Sequence, residues 1–233
     1  MPPSILPSFH DFAYTSPCLP PCCTSWKELL HLAEKVEYRK GKELLGSIGG
    51  ELLFYYVESG SCQTALNMMD GSVEHIFIMN AGTLAGLPLT MGGCTLPGKS
   101  LTCRQSGVFW RFRQSLWTEA FVAAHPRQAM ECAKMLAVST LSMANLRILS
   151  NSTAERGLAR FLCGMVHTQG DYRLVPICSI TELAGMFGTH RVNLSRIIGS
   201  LTDRGILARY DRDCIEIRNP EALLTLAKGD QVI

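Results

Sequence analysis

The chain has 233 residues, of which 47% are hydrophobic, and a formal net charge of +2. This length fits one large or two ordinary domains, and so small a net charge does not by itself indicate a nucleic-acid partner. No apolar run is long enough to span a bilayer, and the N-terminus does not resemble a signal peptide, so we expect a cytoplasmic protein without membrane contact. The ten cysteines are then expected to be reduced thiols, metal ligands or redox groups rather than disulfides.

After a Pro-rich lead, residues 36–112 consist of short apolar runs that are broken by glycine. The runs end at Gly60, Gly71 and Gly82, where tight turns are expected. Short strands at such intervals predict an all-β roll.

A long helix is predicted from about Pro126 to Leu149. Ala137, Leu141, Ala144 and Ile148 recur at steps of three and four residues, and further apolar residues populate neighbouring faces. Two apolar faces suit a helix that packs on its own domain and on a partner chain, although a single buried helix would give a similar pattern. A hinge at residues 151–153 and a helix over residues 154–166 should follow.

Residues 179–207 have the pattern of a helix, a glycine turn and a second helix. Ser179 and Glu182 stand at the spacing of a capping box, so the first helix should begin there. Gly188 falls at the turn, which often requires positive φ, and Thr189 is predicted as the N-cap of the second helix.

The second helix has an apolar back and a polar front. Leu194, Ile197, Ile198 and Leu201 recur at helical spacing, which leaves four side chains facing outward: His190, Arg191, Asn193 and Arg196. An ordinary helical hairpin with a solvated basic face would also fit. The short hairpin predicted over residues 206–217 favours a DNA-reading helix-turn-helix with a wing. Five arginines cluster in this part, where a phosphate backbone would lie: Arg191, Arg196, Arg204, Arg209 and Arg212.

On these landmarks, residues 179–217 resemble the Crp/Fnr family of bacterial transcription regulators, and weaker similarity covers almost the whole chain. The resemblance implies an α+β fold with a β-roll sensor domain over residues 1–125, a dimerisation helix over residues 126–150 and a winged helix-turn-helix over residues 151–233. It also implies a homodimer that binds double-stranded DNA at an inverted-repeat operator, contacts RNA polymerase and has no catalytic activity. An event in the roll would shift the packing of the two long helices.

The recognition helix departs from much of this family at one position. Many members have a glutamate, which accepts from cytosine N4, where this chain has Val192. A valine can pack on a thymine methyl group instead, while Arg191 or Arg196 can reach guanine. The full set of expected DNA contacts is Ser179, Thr189, His190, Arg191, Val192, Asn193 and Arg196.

The stretch expected to hold an effector contains no charged residue. Nucleotide-binding relatives carry a Gly-Glu pair for the ribose and an Arg-Ser pair for the cyclic phosphate, whereas residues 81–98 contain no Asp, Glu, Lys or Arg. Cyclic AMP is therefore not expected. An uncharged, glycine-rich pocket suits an apolar molecule, a haem or no ligand, and its expected residues are Gly82, Ala85, Gly86, Leu87, Cys94 and Met135.

Cysteines and histidines offer further sensor hypotheses. Cys18, Cys22 and Cys23 could hold an iron–sulfur cluster or act in thiol redox sensing, as one oxygen-sensing branch of the family uses N-terminal cysteines. Adjacent Cys22 and Cys23 cannot easily point at one cluster, so ordinary thiols are the default expectation. Haem would need an axial ligand, for which His75 is a candidate. Residues 1–3 resemble the start of a haem branch that uses an N-terminal proline, but that branch's Cys and His do not reappear at residues 86–89.

Two other functional classes fit a β-roll. One is a metal enzyme of the cupin type, but His75 is the only histidine between His31 and His125, so the required His-x-His cluster is missing. The other is a cyclic-nucleotide-like module that acts as a non-DNA regulatory subunit. The missing phosphate arginine and the winged helix argue against it.

Overall fold

The computed structural model describes residues 7–13, 15–67, 73–150 and 152–229. Contacts divide the chain into two compact units, one of Cys18–Leu141 and one of Met1–Pro17 with Ser142–Ile233. The sequence-based division had assigned the first residues to the roll. The described part of this segment belongs with the C-terminal unit instead, because Phe9 and Phe12 are buried there. No described helix combines the length and the hydropathy needed to cross a membrane.

The predicted β-roll is present in the unit Cys18–Leu141, which confirms the sheet domain of the α+β fold. Its two sheets have the strand orders β1-β6-β5-β8 and β2-β9-β4-β3, and β7 pairs with β4. The elements are β1 (Cys18–Leu19), β2 (Glu34–Tyr38), β3 (Ser47–Ile48), β4 (Glu51–Val57), β5 (Ser61–Asn67), β6 (Val73–Asn80), β7 (Leu84–Ala85), α1 (Leu87–Gly92), β8 (Lys99–Gln105), β9 (Gly107–Arg113) and α2 (Glu119–Ala124).

Trp26 lies at the centre of the roll's aromatic core. It belongs to a 3₁₀ helix, Thr24–Leu32, and is fully buried. Its ring meets Phe54, Phe112 and Trp117 edge-on, at centroid distances of 5.6, 5.2 and 5.7 Å. Edge-to-face contacts of this kind add to the stabilisation that burial gives large aromatic residues. The segment before the first long strand is therefore part of the core.

Two helices follow the roll. α3 (Pro126–Ser150) begins where the sequence predicts, with a proline at its first position, where no N–H is needed. α4 (Ala154–Gln169) begins at its N-cap Thr153, whose hydroxyl accepts from the Arg156 N–H at 3.3 Å. The predicted end of α4 at residue 166 is wrong by three residues. The helix continues to Gln169, and Gly170, which takes a left-handed conformation (φ +70°), caps it.

The C-terminal unit continues with a helix-turn-helix, a small sheet and a final helix. Its elements are β10 (Arg173–Leu174), α5 (Ile180–Met186), α6 (Arg191–Asp203), β11 (Leu207–Tyr210), β12 (Ile215–Ile217) and α7 (Pro220–Lys228). The three strands form one sheet in the order β10-β12-β11. The predicted hairpin is confirmed, and β10 adds a strand that the sequence did not predict.

Candidate DNA interface and sensor site

The helix-turn-helix begins with a complete capping box. The Ser179 hydroxyl accepts a hydrogen bond from the Glu182 backbone N–H at 3.2 Å, and the Glu182 carboxylate accepts from the Ser179 N–H at 2.7 Å. These bonds satisfy N–H groups that a helix start otherwise leaves unpaired. α5 buries Leu183 and Ala184 on its inner face. The predicted start of this helix is confirmed, and Ser179 lies exposed at its tip.

The turn between α5 and α6 depends on Gly188, as predicted, because its φ of +59° favours a residue without a Cβ. The predicted N-cap Thr189 is wrong by one residue, since His190 occupies that position without a side-chain cap bond. The Thr189 N–H still bonds the Ala184 carbonyl of α5 at 2.9 Å, which keeps this residue in the turn. Its hydroxyl instead accepts from the Asn193 side-chain amide at 2.8 Å.

α6 presents one face to its own domain and the opposite face to solvent. Leu194, Ile198 and Leu201 are buried, as the helical spacing predicts. On the outer face, Val192 is 69% exposed, which is unusual for a valine on a packed helix. The predicted contacts His190, Arg191, Asn193 and Arg196 are also exposed, as is Ser195. A row of exposed polar and apolar groups at the N-terminal end of a helix has the form of a major-groove reading surface.

The arginines near this surface divide into two groups. Arg204 forms an ion pair with Glu155, and Arg209 forms one with Asp211. No ion pair or hydrogen bond to a described residue is found for the side chains of Arg191 and Arg196, so both guanidinium groups are available to phosphates or bases. Exposed ion pairs contribute little stability, so a phosphate could also take the place of Glu155 beside Arg204 and of Asp211 beside Arg209.

The turn of the wing is fixed by Asp211. Its carboxylate accepts the backbone N–H groups of Asp213 and Cys214, each at 2.9 Å. These bonds, together with the Arg209 guanidinium, lower the pKa of Asp211 below its usual value, the Asp213 N–H contributing most. The wing tip therefore has a defined shape beside α6. Exposed Arg212 lies in this tip.

The predicted dimer stripe lies on the solvent side of α3. Ala137, Leu141, Ala144 and Ile148 are all exposed, with Leu141 at 50% and Ile148 at 47%. At 3.6 residues per turn, these positions share one side of the helix. Among the α3 side chains that the structure describes, the buried ones fall on the opposite side, and they are Gln128, Cys132, Met135, Ser139 and Ser142.

The predicted effector residues differ in burial. Ala85, Leu87 and Met135 are packed in the core of the roll, whereas Cys94 is exposed. A Cβ on Gly86 would lie 3.0 Å from the Leu53 carbonyl oxygen, so close packing accounts for this glycine without a ligand.

Gly82 is also explained by packing, since a Cβ there would lie 2.9 Å from the Pro21 side chain. A cavity of about 560 Å³ lies elsewhere, in the C-terminal unit, where Arg156, Ile206 and Ala222 are among its lining residues. None of the predicted effector residues lines that cavity.

The candidate metal and haem ligands are spread over the roll. Cys18 lies in β1, opposite Ile78 of β6, and the backbone of His75 pairs with Ala65. The side chain of His75 and residues 1–3 lie outside the described part of the chain. Within that part, no group of three or more His, Cys, Asp or Glu side chains is placed to hold a metal ion. Cys22 and Cys23 instead contact α3, an arrangement that no spacing rule in the sequence signals.

Comparison with known proteins agrees with this geometry. Residues 158–226 match the family model of the Crp-like helix-turn-helix domain, and no curated protein matches the chain significantly. The fold is similar to a mutant of CooA from Carboxydothermus hydrogenoformans, with a TM-score of 0.73 and 18% identity, covering 86% of this chain and 90% of that one. FixK2 from Bradyrhizobium japonicum has a TM-score of 0.64 and 20% identity, covering 83% and 96%.

A transcriptional regulator of the CRP/FNR family from Thermus thermophilus gives a TM-score of 0.60 at 17% identity, covering 84% of this chain and 99% of that one. At such identities, the solved structures show the fold alone. Residues 158–226 are therefore a Crp-like helix-turn-helix domain, and the fold of the chain is similar to that of these solved structures.

Proposed function

We propose that the protein is a homodimer that reads an inverted-repeat operator through α6 and responds to an effector other than cyclic AMP. The observation that carries this proposal is the exposed row at the start of α6, which is set on a capped helix-turn-helix beside a wing. In the dimer, two such helices would enter successive major grooves about one helical turn apart. Regulation of transcription would follow from contact with RNA polymerase.

The exposed stripe of α3 supports dimerisation. Its members alternate at steps of four and three residues, the spacing of a two-helix seam. Two of the four are alanines, which allow close approach of two helices, and the other two are large apolar residues that a lone chain leaves half exposed. Pairing two copies through this stripe would remove that apolar surface from water.

The base contacts follow from the chemistry of the α6 row. Val192 would pack on a thymine methyl group, and Arg191 would bond the O6 and N7 atoms of a guanine. Asn193 would read adenine through its amide, which the bond to Thr189 holds in a fixed orientation. His190 and Ser179 would contact phosphates, because both lie at helix starts where backbone N–H groups favour anions.

Selection from a randomised duplex library tests this assignment. Val192→Glu should move the preference at one base pair from A·T toward cytosine, by about 1–3 kcal/mol. The matched control is Val175→Glu, which adds the same charge at a valine that is 67% exposed but lies between β10 and α5.

Arg191→Ala should flatten discrimination at one base pair rather than weaken binding to all sequences equally. If wild type and Val192→Glu select the same sequences, Val192 does not face the bases and the assignment is wrong.

The effector assignment depends on charge. Residues 81–98 offer no cation for a cyclic phosphate, so an apolar molecule, a haem-bound gas or a redox signal fits the roll better. An absorption spectrum of freshly purified protein tests the haem hypothesis, since bound haem gives a strong Soret band. If protein purified from cells supplied with haem lacks that band, the effector is an apolar molecule or a redox signal.

A further inference from the structure

The segment that precedes the roll's long strands is attached to α3 by a row of polar contacts. The Ser25 hydroxyl and N–H donate to the Glu131 carboxylate at 2.7 and 3.2 Å. The Trp26 indole N–H donates to the Gln128 carbonyl at 3.4 Å. These contacts hold the N-terminal half of α3, so a change in this segment is transmitted to the helix.

Four sulfur-bearing side chains complete this attachment, and we name Cys22, Cys23, Cys132 and Met135 the sulfur cluster. The Cys22 Sγ lies 3.5 Å from the Met135 Sδ, and the Cys23 Sγ lies 3.8 Å from the Glu131 carbonyl oxygen. Cys23, Cys132 and Met135 are buried, whereas Cys22 is partly exposed. Within the cluster, Cys22 is therefore the thiol that a small solute can reach from solvent.

The surroundings of Cys22 favour its thiolate. A hydrogen bond from the Cys23 thiol lowers the pKa of Cys22 to about 7, against the opposing effect of burial. Lys134 lowers this pKa further and Glu131 raises it. The same hydrogen bond and burial raise the pKa of Cys23, so the shared proton stays on the buried thiol. Thiolates are the reactive form of cysteine.

We propose that Cys22 is a peroxide-reactive thiol whose oxidation to a sulfenic acid loosens the attachment of its segment to α3. The Cys22 sulfur attacks the peroxide oxygen that bears hydrogen, and the O–O bond breaks. The sulfur gains the OH group, and the departing oxygen takes a proton from water and leaves as water or an alcohol. Sulfur is oxidised by two electrons and the peroxide is reduced by two.

The sulfenic acid of Cys22 does not fit the contact that its thiol makes with Met135. A sulfenic acid carries an extra oxygen and a polar O–H group, whereas the Cys22 sulfur is in direct contact with the buried Met135 thioether. The added atom enlarges the Cys22 side chain at this contact and is expected to push it away from Met135, and this displacement loosens the packing there, since packed interiors have little spare room. Met135 lies two residues before Ala137, so the displacement acts on the part of α3 that begins the exposed stripe. This consequence for DNA binding rests on the function proposed above.

The chemical step is tested on the full-length protein by mapping its cysteines with mass spectrometry. After treatment with hydrogen peroxide at pH 7 and a sulfenic-acid trap, Cys22 should be the first cysteine modified. It should react at least about threefold faster than exposed Cys94, because a thiol with a pKa of about 7 is about half thiolate at pH 7, and the thiolate is the reactive form.

Cys23→Ala removes the thiol that donates to Cys22 and should shift the half-maximal pH of the Cys22 reaction upward, an effect that loss of packing alone would not produce. Modification of Cys94 as fast as Cys22, or an unchanged pH profile in Cys23→Ala, would overturn the assignment.

A second measurement separates this inference from the proposed function. Affinity for a selected operator is measured before and after peroxide in wild type and in Cys22→Ser, with Cys94→Ser as control. Peroxide should change the affinity of wild type and of Cys94→Ser severalfold and leave Cys22→Ser unchanged.

Oxidation of Cys22 with no change in operator affinity would refute its regulatory role. A protein that selects no operator in either state would refute the proposed function while leaving the mass-spectrometric result on Cys22 intact.

Discussion

Gly164 in α4 allows the N-terminal segment to pack on this helix, and its replacement by alanine should destabilise the C-terminal unit. A Cβ at this position would overlap the Thr15 hydroxyl oxygen and lie 3.1 Å from the Phe12 carbonyl oxygen. The hydroxyl cannot move easily, because Thr15 is buried and its oxygen lies 2.8 Å from the Phe12 carbonyl and 3.0 Å from the Arg160 carbonyl. The added methyl group must therefore displace the segment.

Two opposing effects set the size of the loss. Alanine is about 1 kcal/mol more favourable than glycine inside a helix. Overpacking a filled site costs about 1–3 kcal/mol. If the segment detaches instead, Phe9 and Phe12, which are 0% and 2% exposed, enter water at about 1.5–3 kcal/mol each. We expect a net destabilisation of about 0–2 kcal/mol if the segment adjusts and about 2–5 kcal/mol if it detaches.

Urea denaturation measures the change, with Gly185→Ala as the matched control. Gly185 is also helical, but nothing lies within 4 Å of its Cβ position, so this variant should be equal to wild type or slightly more stable. Thr15→Ala removes the nearest clashing atom, so the double variant Thr15→Ala/Gly164→Ala should be more stable than Gly164→Ala alone. A Gly164→Ala variant as stable as Gly185→Ala would refute the reasoning.

Three other predictions follow from the described geometry. Leu141→Lys should be a monomer in light scattering and should bind the operator poorly, because it places a charge in the proposed dimer contact. Met143→Lys, at a side chain that is 46% exposed on another side of α3, should remain a dimer. A Leu141→Lys variant that remains dimeric would show that the stripe is not the dimer contact. Calorimetric titration should detect no micromolar binding of cyclic AMP, because residues 81–98 supply no cation for its phosphate. Stoichiometric binding would contradict this reasoning. Burial and the adjacent His10 ring lower the pKa of His167, so the unfolded chain binds this proton more readily and stability should fall as the pH drops below about 6.5. Between pH 5.5 and 7.5, the melting temperature of His10→Gln should depend less on pH than that of wild type. If both proteins show the same dependence, the His10–His167 pair is not its cause.

The local parts of the candidate DNA interface follow from the sequence alone. The capping box of Ser179 and Glu182, the turn at Gly188 and the two faces of α6 were all predicted, because each depends on residues at most four positions apart along a helix or on one backbone conformation. The alternation of short apolar runs with glycines likewise predicted the roll. The start of α6 is predicted one residue early, at Thr189, because nothing local indicates that the Thr189 N–H bonds back to the Ala184 carbonyl.

Which distant segments meet is seen only in the folded chain. No pattern within a few residues of Phe9 or Phe12 indicates that they are buried with α4, and none near Cys22 indicates that its sulfur contacts Met135, 113 residues later. The same holds for Trp26, whose aromatic partners lie in strands, in a loop and in α2, as far along the chain as Phe121. Burial of such side chains is favourable wherever a complementary surface is available. Which surface that is depends on how the whole chain packs, and this is not encoded in any short stretch of it.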